Sequence, residues 1–154
     1  MVIICVSRAS LKGLRSEIVF EILLSMKYWT GAHTKHRIMY HIVWLPKYRK
    51  RVLNGKLAER VEVLIRECAE INDWQVAELS VQPDHIHLLI QLRPNISVSK
   101  AVQLFKGRSS RIIRKEFPGL IEFYWGDSFW GDGFFVETVG QVNFDKMKDY
   151  IKAQ

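Results

Sequence analysis

Apolar and polar positions change period several times along the chain, and each change marks an expected element. Residues 36–44, His36-Arg37-Ile38-Met39-Tyr40-His41-Ile42-Val43-Trp44, are rich in β-branched and aromatic side chains and run up to Pro46. That composition predicts a strand. After Asn54-Gly55, apolar residues fall at Leu57, Val61, Leu64, Ile65 and Cys68. Intervals of three and four are the period of an amphipathic helix, expected here to end near Asn72. Residues 74–81 then alternate, Pro83-Asp84 supplies a turn, and residues 85–92 are apolar again. This is the pattern of a β-hairpin. Ser97 or Ser99 can cap a second helix carrying Val98, Val102, Leu104, Phe105, Ile112 and Ile113, which should end before Pro118-Gly119. Past a loop rich in Trp, Gly and Asp, residues 134–139 predict a fourth strand. Asn143 or Asp145 can cap a final helix through Met147 and Tyr150.

The order β-α-β-β-α-β predicts an α+β fold of ferredoxin-like type, an antiparallel sheet with two helices on one face, plus an added C-terminal helix. A fold shared by many activities does not name one, so the function has to be read from side chains. The length of 154 residues suits one core, expected over residues 26–154. Residues 1–25 hold two apolar patches, 1–6 and 18–24, separated by Arg8, Lys12 and Arg15. A secretory signal orders these features differently. With Met26 opening Met26-Lys27-Tyr28-Trp29 just before the first strand, residues 1–25 are expected to be an appendage.

Lys and Arg number 23 against 16 Asp and Glu, a formal charge of +7. Such a balance favours a polyanionic partner through counterion release, although it equally describes a merely soluble basic protein. The cations cluster. Lys47, Arg49, Lys50 and Arg51 follow the first strand, and Lys100, Lys106, Arg108, Arg111, Arg114 and Lys115 lie on or beside the second helix. Tyr48, set among the first group, offers a ring on which an unpaired base can stack. Lys47, Tyr48, Arg49, Lys106, Arg108 and Arg111 are therefore the candidate DNA contacts, weighed against a solvated charged face. No apolar run approaches the ~18–20 residues of a membrane-spanning helix. Cys5 and Cys68 make no disulfide framework, and the expected location is a reducing cytoplasm, in association with the nucleoid.

His85 and His87 are two apart in a predicted strand, so both rings project from one face while Ile86, Leu88 and Ile90 face the other way. Neutral imidazoles placed together can chelate a divalent cation. A bare HxH pair is also compatible with a structural role. On the final helix, Tyr150 and Gln154 are four apart and share a face. Tyrosine is protonated at neutral pH, so nucleophilic use of Tyr150 calls for a nearby base or positive charge; otherwise it is an ordinary surface tyrosine.

Taken together, these pieces resemble the single-tyrosine transposases of the HUH class, in the IS two-hundred/IS six-hundred-and-five group. The resemblance spans residues 27–154. It rests on Trp44-Leu45-Pro46-Lys47-Tyr48-Arg49, Pro83-Asp84-His85-Ile86-His87-Leu88-Leu89, Phe105-Lys106-Gly107-Arg108-Ser109-Ser110-Arg111, Gly133-Phe134-Phe135-Val136-Glu137-Thr138-Val139-Gly140 and Tyr150-Ile151-Lys152-Ala153-Gln154. It implies that His85 and His87 are metal ligands with Gln154 as a third, that the ion is Mg²⁺ or Mn²⁺, and that Tyr150 forms a 5′-phosphotyrosine link. It further implies single-stranded DNA with subterminal hairpins as substrate, and a homodimer whose C-terminal helices complete sites in trans. Gly140, followed by Gln141-Val142-Asn143, is a candidate hinge for that crossing, weighed against ordinary turn chemistry at a strand end. Phe135 stands where tyrosine is common in the family, which leaves Tyr124 as the local competitor to Tyr150. Other readings of the same residues are a related HUH protein that processes repetitive palindromes, a non-catalytic nucleic-acid-binding module, and a decayed transposase copy.

Overall fold

The computed structural model describes residues 28–30, 33, 35–123 and 128–154. The expected appendage over residues 1–25 and the competitor Tyr124 lie outside the described residues. Two short strands, β1 (Trp29–Thr30) and β2 (Lys35–His36), pair with each other as a small hairpin. The main domain follows as β3 (Met39–Trp44), α1 (Gly55–Ile71), β4 (Gln75–Gln82), β5 (His85–Gln91), α2 (Val98–Glu116), β6 (Phe135–Val139) and α3 (Gln141–Ala153). The sheet order is β4-β5-β3-β6 with every neighbour antiparallel. This is the ferredoxin-like arrangement that the pattern predicts, with the added helix at its end.

Two boundaries differ from expectation, each for a local reason, and the structure chooses between the two caps expected for α2. The first sheet strand begins at Met39 rather than His36, because Lys35 and His36 direct their ladder hydrogen bonds to Thr30 and Trp29. Ser97, not Ser99, caps α2, its side chain accepting from the Lys100 N–H at 3.2 Å. Neither Asn143 nor Asp145 caps α3. Gly140 occupies the N-cap position with extended backbone, φ −73° and ψ 162°, so the helix starts directly after β6.

Alternation along the strands sorts the sheet into two faces. Ile42 and Trp44 of β3 and Ile86, Leu88 and Ile90 of β5 are fully buried in the main core. Against them pack Val61, Leu64 and Ile65 of α1 and Val102, Phe105 and Ile113 of α2. Burying side chains of this size contributes roughly 1.5–3 kcal/mol each, which makes this face the source of most of the stability. The opposite face carries His41, His85, His87, Leu89 and Glu137; in the register His41 pairs with Leu89 and Glu137, and Val43 with His87 and Phe135. A smaller cluster on that side, Met39, Leu89, Val139 and Ile151, seats α3 on the sheet. Among the described residues no helix is long and apolar enough to cross a membrane.

Candidate active site

Three of the residues singled out from the sequence meet on the α3 side of the sheet. His85 and His87 present their Nε2 atoms to each other at 3.0 Å. The Tyr150 ring stands edge-on to the His87 ring, with centroids 5.9 Å apart and planes at 88°. Tyr150 is half-exposed while His87 is buried, so solvent reaches the phenol but not the imidazole behind it. A cleft of about 550 Å³ opens here, lined by His41, His87, Phe135, Glu137, Lys146 and Tyr150 among others. Lys146 and Tyr150 are four apart on α3 and so face the cleft one turn from each other.

Behind the two histidines is a shell of partners that sequence reasoning missed. His41 Nε2 lies 3.0 Å from His87 Nδ1, and His41 Nδ1 lies 2.9 Å from Glu137 Oε1. The His41 and His87 rings are stacked at 5.3 Å with planes 5° apart. On the other side, His85 Nδ1–H donates to Asp84 Oδ1 at 2.6 Å. Arg49 Nε in turn donates to Asp84 Oδ2 at 3.1 Å. The hydrogen bond from His85 holds the Asp84 carboxyl below its ordinary value, with Arg49 adding to the effect. Burial pushes His87 down to about 4, reinforced by its neighbours His85 and His41.

That depression has a sign. The unfolded chain protonates His87 near the ordinary histidine value of about 6.5, whereas the folded chain does so only near 4. Between those values the unfolded state binds more protons. Stability is therefore expected to be complete above about pH 6.5 and to fall as the pH drops toward 4. Urea melts with chelator present, taken across that window, should show the slope in the wild type and a flatter one in His87→Leu.

The donor set fits a divalent cation. Each ring has its Nδ1 engaged by a partner behind it, which leaves both Nε2 atoms facing one point. Two ligand atoms about 2.1 Å from a shared octahedral ion and at right angles are about 3.0 Å apart, the spacing observed. Among the described residues no third His, Cys, Asp or Glu joins them as a group. Gln154 sits exposed beyond the last turn of α3, and no hydrogen bond links it to either histidine.

Comparison with known proteins decides the family. Residues 34–154 match the family described as transposase IS200 like. The chain belongs to this family. The transposase for insertion sequence element IS200 of Salmonella typhimurium is 37% identical over 123 residues, 80% of each chain. The ISDra2 transposase TnpA of Deinococcus radiodurans is 30% identical over 133 residues, 86% of this chain and 95% of that one. A solved transposase structure from Deinococcus radiodurans superposes with a TM-score of 0.68 at 30% identity, covering 82% of this chain and 97% of its own. A REP-associated tyrosine transposase bound to a REP hairpin shares the fold, with a TM-score of 0.56 at 16% identity, covering 82% and 70%.

The basic residues expected to touch DNA divide into groups with different surroundings. Tyr48 is 66% exposed and adopts left-handed backbone, φ 61°, with Arg49 beside it at φ 51°. Non-glycine residues rarely take this conformation, and it turns the Tyr48 ring outward with the Lys47 ammonium 5.4 Å from its centroid. Arg49, by contrast, ties this loop to the histidine strand through Asp84. Arg108 faces α1 and donates to Glu67 at 3.3 Å. Arg111 lines a larger cleft of about 760 Å³ together with Lys106, Arg114, Lys115 and Phe134. None of the site histidines lines that cleft, and its walls are cationic.

Lys106 also has an internal task. Its ammonium donates to the carbonyls of Gly131 and Gly133 at 2.7 Å and of Asp132 at 3.3 Å, using all three donors. Burial lowers its pKa, with Asp132 acting in the opposite sense. Trp130 Nε1–H donates to Ser109 Oγ and the Phe129 N–H to Ser110 Oγ, so α2 holds this loop at several points. Lys106→Met is expected to destabilise the fold by about 1 kcal/mol, mainly through the part-buried Gly131 carbonyl, because water can reach those of Asp132 and Gly133. The urea midpoint measures that loss, and it should appear in the absence of any nucleic acid.

Proposed function

We propose that this chain cuts and rejoins single-stranded DNA at the ends of an insertion sequence, with Tyr150 as the nucleophile. The observation that supports this best is the half-exposed Tyr150 ring against the converging His85–His87 pair. The Tyr150 oxygen attacks the scissile phosphorus, the bond to the 3′ oxygen breaks, and a 5′-phosphotyrosine and a free 3′-OH result. An incoming 3′-OH reverses the attack and regenerates the phenol. The phosphotyrosine retains the energy of the broken diester, so no nucleoside triphosphate is required.

Each residue around the phenol has a separate part. Ile151, fully buried against Met39, Leu89 and Val139, anchors the helix and so fixes the direction in which Tyr150 points. Lys146 brings a cation to the cleft, where a phosphate of the bound strand would neutralise it. Mg²⁺ or Mn²⁺ would be held by His85 and His87, with Gln154 joining only if the end of α3 turns toward them, and would supply positive charge to the scissile phosphate. The cationic cleft beside α2 and the outward Tyr48 favour a structured single strand, in which a hairpin lies along Arg111, Arg114 and Lys115. The name of the REP-associated neighbour, bound to a REP hairpin, agrees with such a substrate.

A homodimer belongs to the same proposal. β6 is an edge strand of the sheet, and its open backbone edge is suited to a second copy. Within this single chain α3 lies on its own sheet, so Tyr150 meets the histidines of the same chain. Exchange between copies would take place at Gly140, the residue that joins β6 to α3.

The test uses single-stranded element-end DNA labelled at its 3′ end, incubated with the full chain and Mg²⁺ or Mn²⁺ and run on a denaturing protein gel. A labelled band at the mass of protein plus downstream fragment is expected, and chelator should abolish it. Hairpin binding with no covalent band would favour a non-catalytic nucleic-acid-binding role instead.

A further inference from the structure

Building on the reading of His85 and His87 as metal ligands, we propose that Glu137 and His41 are positioning residues that lock His87 with its Nε2 lone pair turned toward the ion. A carboxylate only accepts hydrogen bonds, so the 2.9 Å contact with Glu137 Oε1 places the hydrogen on His41 Nδ1. With that hydrogen on Nδ1, the His41 ring offers Nε2 as its acceptor. That nitrogen accepts from His87 Nδ1–H across 3.0 Å. His87 Nε2 is left bare.

Asp84 does the same from the opposite end in one step fewer, accepting from His85 Nδ1–H at 2.6 Å. Two carboxylates thus draw both ring hydrogens outward, and the two Nε2 atoms lie 3.0 Å apart in the middle. Lone pairs at that distance repel unless a cation lies between them. A free-standing pair of imidazoles has an easier state available, in which one Nε2–H donates to the other Nε2 and both lose their affinity for metal. Glu137 and His41 exclude the form in which His87 is the donor by holding its hydrogen on Nδ1, and Asp84 excludes the form in which His85 is.

The placement of the two residues supports the assignment. His41 and Glu137 are register partners on neighbouring strands, so the backbone ladder fixes their approach. His41 is only 4% exposed and stacked on His87. A hydrogen bond in so dry a setting holds its direction more strongly than one in water. Partners of this kind set ligand tautomer and commonly alter metal affinity about 10- to 100-fold when removed.

The experiment is long-range proton–nitrogen NMR of the full chain labelled with nitrogen-15 histidine, metal-free, at a fixed pH of 7.5. The wild type should show His87 with hydrogen on Nδ1. His41→Phe keeps the ring volume and removes the acceptor, so His87 should move to the Nε2–H tautomer. Mn²⁺ affinity, followed by electron paramagnetic resonance, should fall about 10- to 100-fold. His41→Gln, whose amide oxygen can reach the same place, should restore a large part of both. If His41→Phe does not fold, Glu137→Met carries the same test from the more exposed end of the line.

The proposal is overturned if wild-type His87 carries its hydrogen on Nε2, or if the variants leave both tautomer and Mn²⁺ affinity unchanged. A wild type with the expected tautomer and no Mn²⁺ binding would leave the positioning role standing and remove the metal-site reading instead. The two failures are therefore told apart by the same pair of measurements.

Discussion

Tyr150→Phe is expected to lower formation of the covalent protein–DNA band by on the order of 10⁴-fold or more, the scale on which removal of a nucleophile acts. The substitution deletes one oxygen and keeps the ring that meets His87 edge-on. Tyr150 is 51% exposed, so the loss of its hydroxyl should change stability by no more than about 0.5 kcal/mol. DNA binding should survive, because the cationic cleft beside α2 is lined by other residues. A gel-shift assay and a urea melt on the same preparation separate the three quantities. Loss of binding together with the band would argue that Tyr150 holds DNA rather than attacks it.

The second large effect is expected from the histidines, and the two should differ in kind. His87→Ala removes a proposed metal ligand and also strips His41 Nε2 of its partner in a site only 5% exposed at His87. A buried polar group left unpaired costs about 1–3 kcal/mol. His87→Ala should therefore lose both covalent band formation and part of its stability. His85 is less deeply placed and its outer partner Asp84 keeps Arg49. His85→Ala should abolish the band at little cost in urea midpoint. Equal stability losses in the two variants would contradict the Glu137–His41–His87 line, which is buried at both histidines.

Much of this architecture is legible in the sequence because its signals are local. Helix periods, alternation in the strands and the Pro83-Asp84 turn each act within a few residues, and the sheet and helices follow them. The two-residue spacing of His85 and His87 likewise states that they share a face. Their partners were not legible for the opposite reason. His41 and Glu137 lie in predicted strands, but their meeting depends on the register between β3, β5 and β6, which joins residues far apart in the chain. A check of parity, residues 39, 41 and 43 against 135, 137 and 139, would have narrowed the search.

Charge was harder to read than hydrophobicity. Lys106, Arg108 and Arg111 are close in sequence on one helix, yet one binds loop carbonyls, one pairs with Glu67 and one lines the cationic cleft. Counting cations cannot separate those fates, because each depends on what tertiary packing places within reach. The start of α3 illustrates the same limit on a smaller scale. Asn143 and Asp145 carry the usual cap chemistry, but the extended backbone at Gly140 lets the helix begin where β6 ends.

The most direct test of the central claim is where the DNA is attached. The covalent product made with Mg²⁺ or Mn²⁺ would be digested with nuclease and protease, and the phosphate-bearing peptide identified by mass spectrometry. The account predicts a single modified peptide carrying the phosphate on Tyr150. Attachment at Tyr48 or Tyr124, or cleavage with no phosphate on any tyrosine, would contradict it.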